Sequence, residues 1–124
     1  MDSTAQSRLD EFVRNMRAPV QQEDNFLTWQ EEPFRFIVEP QETHLIISIE
    51  QTALEADSER QLLELYRRAA PQRFMGLPVR IYQQNASMTG TLALPWDAVE
   101  TEHLLKLCDA LRHLFESASL NTTD

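Results

Sequence analysis

Glycine is almost missing from this chain: only Gly76 and Gly90 occur in 124 residues. A phosphate-cradling loop needs several glycines so that backbone N–H groups can approach the anion, and none can be assembled here. Cysteine is as scarce. The lone Cys108 forms no internal disulfide, which suits a reducing, cytoplasmic compartment. Lysine occurs once, at Lys106, against ten arginines and 20 acidic residues. The net charge of −9 opposes binding to nucleic acid or anionic membranes, where affinity rests on neutralising phosphates. No apolar run approaches the ~18 residues of a membrane span, so no membrane insertion is expected. The first residues carry neither a basic region nor an apolar one, and no signal peptide is expected. Patterns of the G-x-S-x-G, Walker and H-E-x-x-H kinds are absent.

What is present reads as one domain over residues 1–124, with a hydrophobic fraction of 42% that supports a single core. The clearest stretch is 33–50. Phe34, Phe36 and Val38 alternate on one side, as do Leu45, Ile47 and Ile49, and Pro40-Gln41-Glu42 separates the runs. Aromatic and branched side chains at a period of two predict a β-hairpin with one dry face. A hairpin alone is marginal in water, so helices must cover that face.

Three amphipathic stretches supply candidates. Over 3–17, Leu9, Phe12, Val13 and Met16 fall at helical spacing, with Ser3 and Gln6 as a capping box. A second helix starts at Asp57 or Ser58, boxed by Gln61, and ends before Pro71; Leu62, Leu65, Tyr66 and Ala69 form its stripe, widened by Leu63 and Ala70. The last helix is capped by Asp97 with Glu100, or by Thr101, and Leu104, Leu107, Cys108, Leu111, Leu114 and Phe115 fill six successive inward positions. Between these lie a polar loop over 21–25, a short edge strand over 26–30, and a turn at Glu31-Glu32-Pro33. A connector over 51–56, a loop over 72–77 and a second hairpin (78–84 and 88–94, turned at Asn85) follow. A frayed tail over 120–124 ends the chain. The order is α-β-β-β-α-β-β-α, an α+β fold with an antiparallel sheet packed by helices.

Chemistry-bearing constellations are few. His44, His103 and His113 do not converge with Cys108, so no metal site is expected. Cys108 falls in an apolar stripe and reads as a small core residue. Glu31/Glu32 and Glu100/Glu102 read as solvated charge. No cofactor and no catalysis are expected. Apolar surplus is more informative: Phe26, Trp29, Phe74, Met75, Tyr82, Met88 and Trp96 lie beyond the helix stripes, and large exposed apolar patches mark interaction sites.

Gly76-Leu-Pro-Val-Arg-Ile-Tyr82 and Thr91-Leu-Ala-Leu-Pro-Trp-Asp-Ala-Val-Glu-Thr-Glu-His-Leu-Leu105 resemble the strand–turn–strand–helix pattern of class I type III secretion chaperones. The element order resembles theirs along nearly the whole chain. It departs at Asn85-Ala86-Ser87, which lacks a glycine-bearing turn, and at Phe115, where many members carry Trp. The resemblance implies a homodimer of a small acidic cytoplasmic bacterial protein. Such a protein binds an extended N-terminal segment of a secreted effector without ATP and keeps it export-competent, as a virulence chaperone does. A regulatory or structural adaptor subunit of the secretion apparatus is the alternative, with an apparatus protein as partner. The partner-binding residues expected are Phe12, Val13, Met16, Leu27, Trp29, Phe34 and Phe36. Trp29 is expected to stay accessible on its edge strand. The dimer interface is expected at Leu62, Leu63, Leu65, Tyr66, Ala69, Val79 and Ile81, where the helical arc is wider than one core contact needs.

Overall fold

The alternating hydrophobics of 33–50 form the centre of the sheet. In the computed structural model, which describes residues 3–16, 18–51 and 58–119, β3 (Phe34–Pro40) and β4 (His44–Gln51) pair antiparallel. The expected cap at Asp57, the 52–56 part of the connector, Arg17, the side chain of Ser3 and the 120–124 tail lie outside the described residues. Around this hairpin stand β1 (Gln21–Glu23) and β2 (Phe26–Glu31) on one side, and β6 (Ser87–Pro95) and β5 (Arg80–Gln84) on the other. The six strands run in the order β1-β2-β3-β4-β6-β5, all antiparallel. The fold is α+β.

Register explains which face is dry. Trp29 stands opposite Phe36, Leu27 opposite Val38, Phe36 opposite Ile49, and Ile47 opposite Leu92. Residues opposite each other point to the same face, so these side chains form one apolar surface. It is covered by α1 (Ser3–Arg14) and α3 (Thr101–Ser117). All six expected inward positions of α3 are buried. Gly90 lies directly beneath Phe115: a Cβ there would sit 2.8 Å from the ring, so the absent side chain is what lets α3 approach. Arg8 at α1 donates to the Val99 carbonyl at 2.9 Å, and the Thr101 hydroxyl donates to the Arg8 carbonyl at 3.3 Å, tying the two helices together. The opposite sheet face is laced by polar contacts, including Ser48 with Thr91 at 2.8 Å and Arg35 donating to the Thr28 hydroxyl at 3.0 Å. Helix α2 (Ser58–Arg68) lies against β5 and α3.

Several expectations change. The polar loop over 21–25 contains β1, whose three exposed residues Gln-Gln-Glu carry no strand pattern and become a strand only by pairing with Phe26, Leu27 and Thr28. β2 is therefore not the edge strand; β1 is. Gln61 does not close a box on Ser58: its side chain is fully buried and donates to Gln51 at 2.8 Å. Asp97 does not cap α3. It sits in a short 3-10 turn, Trp96–Ala98, and Glu100 occupies the cap position without a side-chain hydrogen bond. The loop over 72–77 holds a second 3-10 turn, Pro71–Phe74, followed by Met75 and Gly76 with left-handed φ of 58° and 81°. The β5–β6 turn needs no glycine because Asn85 takes the left-handed conformation, φ 54°, which Asn tolerates.

Candidate partner-binding surfaces

The seven residues expected to meet a partner are drawn together around α1, but most of them are spent on the core. Phe12 and Phe36 are fully buried, and Trp29 and Phe34 nearly so at 2% and 5% exposure. Trp29 stacks on Phe36 with centroids 5.2 Å apart, and Phe12 meets Trp29 edge-on at 5.8 Å. The expectation of an accessible Trp29 is corrected on two counts: α1 covers its face, and β1 pairs with the strand just before it. Val13, Met16 and Leu27 remain half-buried.

Those three line two grooves beside α1. The first, about 580 Å³, runs between α1 and the β1–β2 hairpin, with Val13, Phe26, Leu27 and Pro40 as its apolar part and Asp10, Arg14 and Asp24 as its charged part. The second, about 420 Å³, lies between the end of α1 and α3, lined by Met16, Ala18, Leu105, Glu31 and Arg112. Neither gathers the convergent polar groups that a small-molecule site needs. Both mix apolar and charged side chains, a lining that suits a peptide.

The second groove is lined by an ion pair between β2 and α3 that sequence reasoning missed. Arg112 forks onto Glu31 at 2.7 and 3.0 Å and also reaches Asp109 at 3.0 Å. Its guanidinium lies 5.3 Å from the Phe36 ring centre, while the Trp29 indole N–H donates to Glu31 at 2.8 Å. Burial pushes the Glu31 carboxyl up, but hydrogen bonds from Arg112 and Trp29 and the arginine's charge outweigh it and hold the group below its ordinary value. Glu31 is therefore not solvated turn charge. Its partner stands 81 positions away, and no local spacing signals it.

The seven expected interface residues also divide. Leu65 and Ile81 belong to the chain's own core, at 0% and 3% exposure. Leu62, Ala69 and Val79 are half-buried. Leu63 and Tyr66 are open to solvent, at 62% and 55%. Tyr66 nonetheless uses its hydroxyl, donating to the Ile81 carbonyl on β5 at 2.7 Å. From the apolar surplus, Phe74, Met88 and Trp29 complete the core, while Met75 and Tyr82 are exposed.

Cys108 is buried and desolvation pushes its thiol up to about 12, so it is no nucleophile at neutral pH. Among the described residues no three His, Cys, Asp or Glu side chains come together as a metal site. His103 instead contacts the Ala98 carbonyl at 2.9 Å. No described helix is long and apolar enough to cross a membrane.

Comparison with known proteins agrees with this architecture. The family model SsaM matches residues 2–118. A chain of the HopA1–SchA chaperone–effector complex superposes with a TM-score of 0.67 at 13% identity, over 94% of this chain and 96% of that one. A chain of the heterodimeric ExoU–SpcU complex, from the type III secretion system of Pseudomonas aeruginosa, gives 0.60 at 17% identity over 95% and 94%. YbjN from E. coli gives 0.61 at 8% identity over 91% and 87%. At these identities the likeness is one of fold. By sequence, the chain matches no curated protein.

Proposed function

The chain belongs to the SsaM family, and from that premise we propose that it is a non-enzymatic type III secretion chaperone of the class I kind, working in the cytoplasm. It holds an extended N-terminal segment of a secreted effector and keeps it export-competent. The observation that carries this reading is the pair of grooves along α1, whose linings include the half-buried Val13, Leu27 and Met16. Two structures sharing the fold are chaperone–effector or secretion-system complexes. The ring packing of Phe12, Trp29 and Phe36 holds α1 on the sheet beside these grooves, so ordering costs fall mainly on the peptide. The half-buried aliphatic rim and Met16 accommodate varied side chains. The reading includes the homodimer that the class implies, with the exposed Leu63 and Tyr66 of α2 open to a second copy.

The test is co-expression with secreted effectors, followed by limited proteolysis of the complex. A protected N-terminal effector segment is expected. Val13→Asp and Leu27→Asp each weaken its binding by about tenfold or more, ~1.4 kcal/mol, in protein that keeps its folded circular-dichroism signal, with some loss of melting temperature because both side chains also pack on the core. A stable heteromer with an apparatus protein, no effector segment being protected, supports the adaptor reading instead. Unchanged binding by both variants removes the α1 grooves from the site.

A further inference from the structure

The groove between α1 and the β1–β2 hairpin carries charge that the folded chain leaves unpaired. Its α1 wall holds Asp10 and Arg14, and its hairpin wall holds Asp24. All three are exposed. Asp10 and Arg14 are about 6 Å apart along the helix axis. Among the described residues none of the three forms an ion pair. Asp10 accepts a hydrogen bond from the Gln6 side-chain amide at 2.9 Å, a neutral donor that leaves its charge in place. Asp24 belongs to the β1–β2 turn and takes a left-handed φ of 48°, which Asp tolerates. The apolar part of the groove lies among these charges, with Val13, Phe26 and Leu27 half-buried.

On the reading that this groove holds the effector segment, we infer that it selects charge as well as apolar character. The segment it takes carries an arginine or lysine between apolar residues. The apolar residues seat against Val13, Phe26 and Leu27, and the cation is held by Asp10 and Asp24. Two carboxylates stand against the one guanidinium of Arg14, so the groove lacks one positive charge. The carboxylates lie on opposite walls. A cation entering the groove finds an opposite charge on either side, and an acidic residue finds like charge on both. Exposed charges of this kind add little affinity each, because water and salt screen them. Their weight falls on rejection, since a like charge held at the same place is disfavoured. The net charge of −9 acts in the same direction at long range, but it favours basic segments everywhere on the surface alike. Selection by this groove is therefore lost when Asp10 and Asp24 are neutralised, and kept when distant carboxylates are.

Fluorescence anisotropy with the full chain and three labelled synthetic peptides tests this. The peptides share a framework of alternating leucine and serine and differ at one central position, which is arginine, glutamine or glutamate. At low salt the arginine peptide binds at least about tenfold tighter than the glutamate peptide, a difference of ~1.4 kcal/mol, with the glutamine peptide between them. The gap narrows as salt is raised. The double variant Asp10→Asn/Asp24→Asn closes it to within about twofold. Glu59→Gln/Glu116→Gln removes two exposed carboxylates on α2 and at the end of α3, and leaves the gap at about tenfold. Circular dichroism checks that both double variants are folded. Equal binding of the arginine and glutamate peptides overturns the inference, as does binding of none of the three. So does a gap that survives Asp10→Asn/Asp24→Asn, or one that the distant pair closes equally, which assigns the preference to net charge. The effector reading is judged separately, by the protected segment in co-expression. A protected segment with equal binding of the three peptides keeps that reading and removes the charge selection. A preference for the arginine peptide without any protected segment keeps the selection and removes the effector.

Discussion

Helices α1 and α2 are near equals in length, 12 and 11 residues, and both are amphipathic, yet they treat their apolar side chains in opposite ways. α1 buries Ala5, Leu9 and Phe12 and leaves no large hydrophobic residue exposed. α2 buries Leu65 and, unexpectedly, Gln61, and leaves Leu63 and Tyr66 in solvent. The difference follows from what each helix rests on. α1 lies beside α3 above the aromatic end of the sheet, where Trp29 and Phe36 stack. α2 lies at the β5 edge, with its main contacts to that strand and to the flank of α3 and a hydrogen bond from Gln61 to Gln51 at the end of β4. A helix over the middle of a sheet is covered across its whole apolar arc, whereas a helix at the edge is covered on one side.

The largest effects should come from removing side chains that each helix rests on. Trp29→Ala removes the layer between Phe12 and Phe36 and is expected to destabilise by about 3–5 kcal/mol. Leu65→Ala, the matching core position of α2, should cost about 2–5 kcal/mol. Urea unfolding measures both. A Trp29→Ala protein as stable as wild type would return Trp29 to the surface and erase the contrast between the two helices.

Most of the fold was legible in the sequence, for a physical reason. The 33–50 hairpin and α3 each bury one full face, and a fully buried face writes its period into the sequence: Phe34, Phe36, Val38 at two, and Leu104, Leu107, Cys108, Leu111 at three and four. β1 was not legible, because Gln21, Gln22 and Glu23 bury nothing and are held by backbone pairing alone. The site was legible as a region and not as residues. Periodicity places Phe12, Trp29 and Phe36 on an apolar face, but only the assembled sheet says that α1 lies on that face and takes all three. The same limit hid Gln61, which reads as a helix-start residue and pairs instead with Gln51 inside the core.

A middle-sized effect tests how the α1 side is pinned. Glu31→Gln keeps the shape and deletes the charge that Arg112 and Trp29 hold, with both partners of the ion pair about three-quarters screened from water. A loss of about 1–2 kcal/mol at pH 7 is expected. Because the folded carboxyl titrates below its unfolded value of about 4.3, the native protein binds its proton less tightly than the unfolded chain does. The stabilisation is complete above pH ~5 and fades as pH falls from ~4.3 through the lowered folded value. Below both values it is gone. The gap between wild type and variant, followed by urea unfolding from pH 7 to pH 3, should therefore close on the acid side. A gap that persists at pH 3 would assign the effect to shape and not to charge.

The smallest effect sharpens the comparison most. Leu63 lies two residues from Leu65 in the same helix, and has 62% of its surface in water where Leu65 has none. Truncating it removes little contact and leaves no cavity, and alanine is as good a helix former as leucine. Leu63→Ala should therefore shift stability by less than about 0.5 kcal/mol in either direction. Nothing in the folding of a lone chain then explains a large leucine at that position beside Tyr66, Arg60 and Arg67. A loss above about 1.5 kcal/mol in urea unfolding of a monomer would mean that α2 packs on its own chain more widely than its exposed residues indicate. The patch would then be core. A loss that grows with protein concentration would instead mean that the chain associates with itself through this helix, because stability coupled to association follows mass action. A concentration-independent result near zero leaves Leu63 outside the chain's own core, in contrast to the aromatic residues beneath α1, which are already buried in the folded chain.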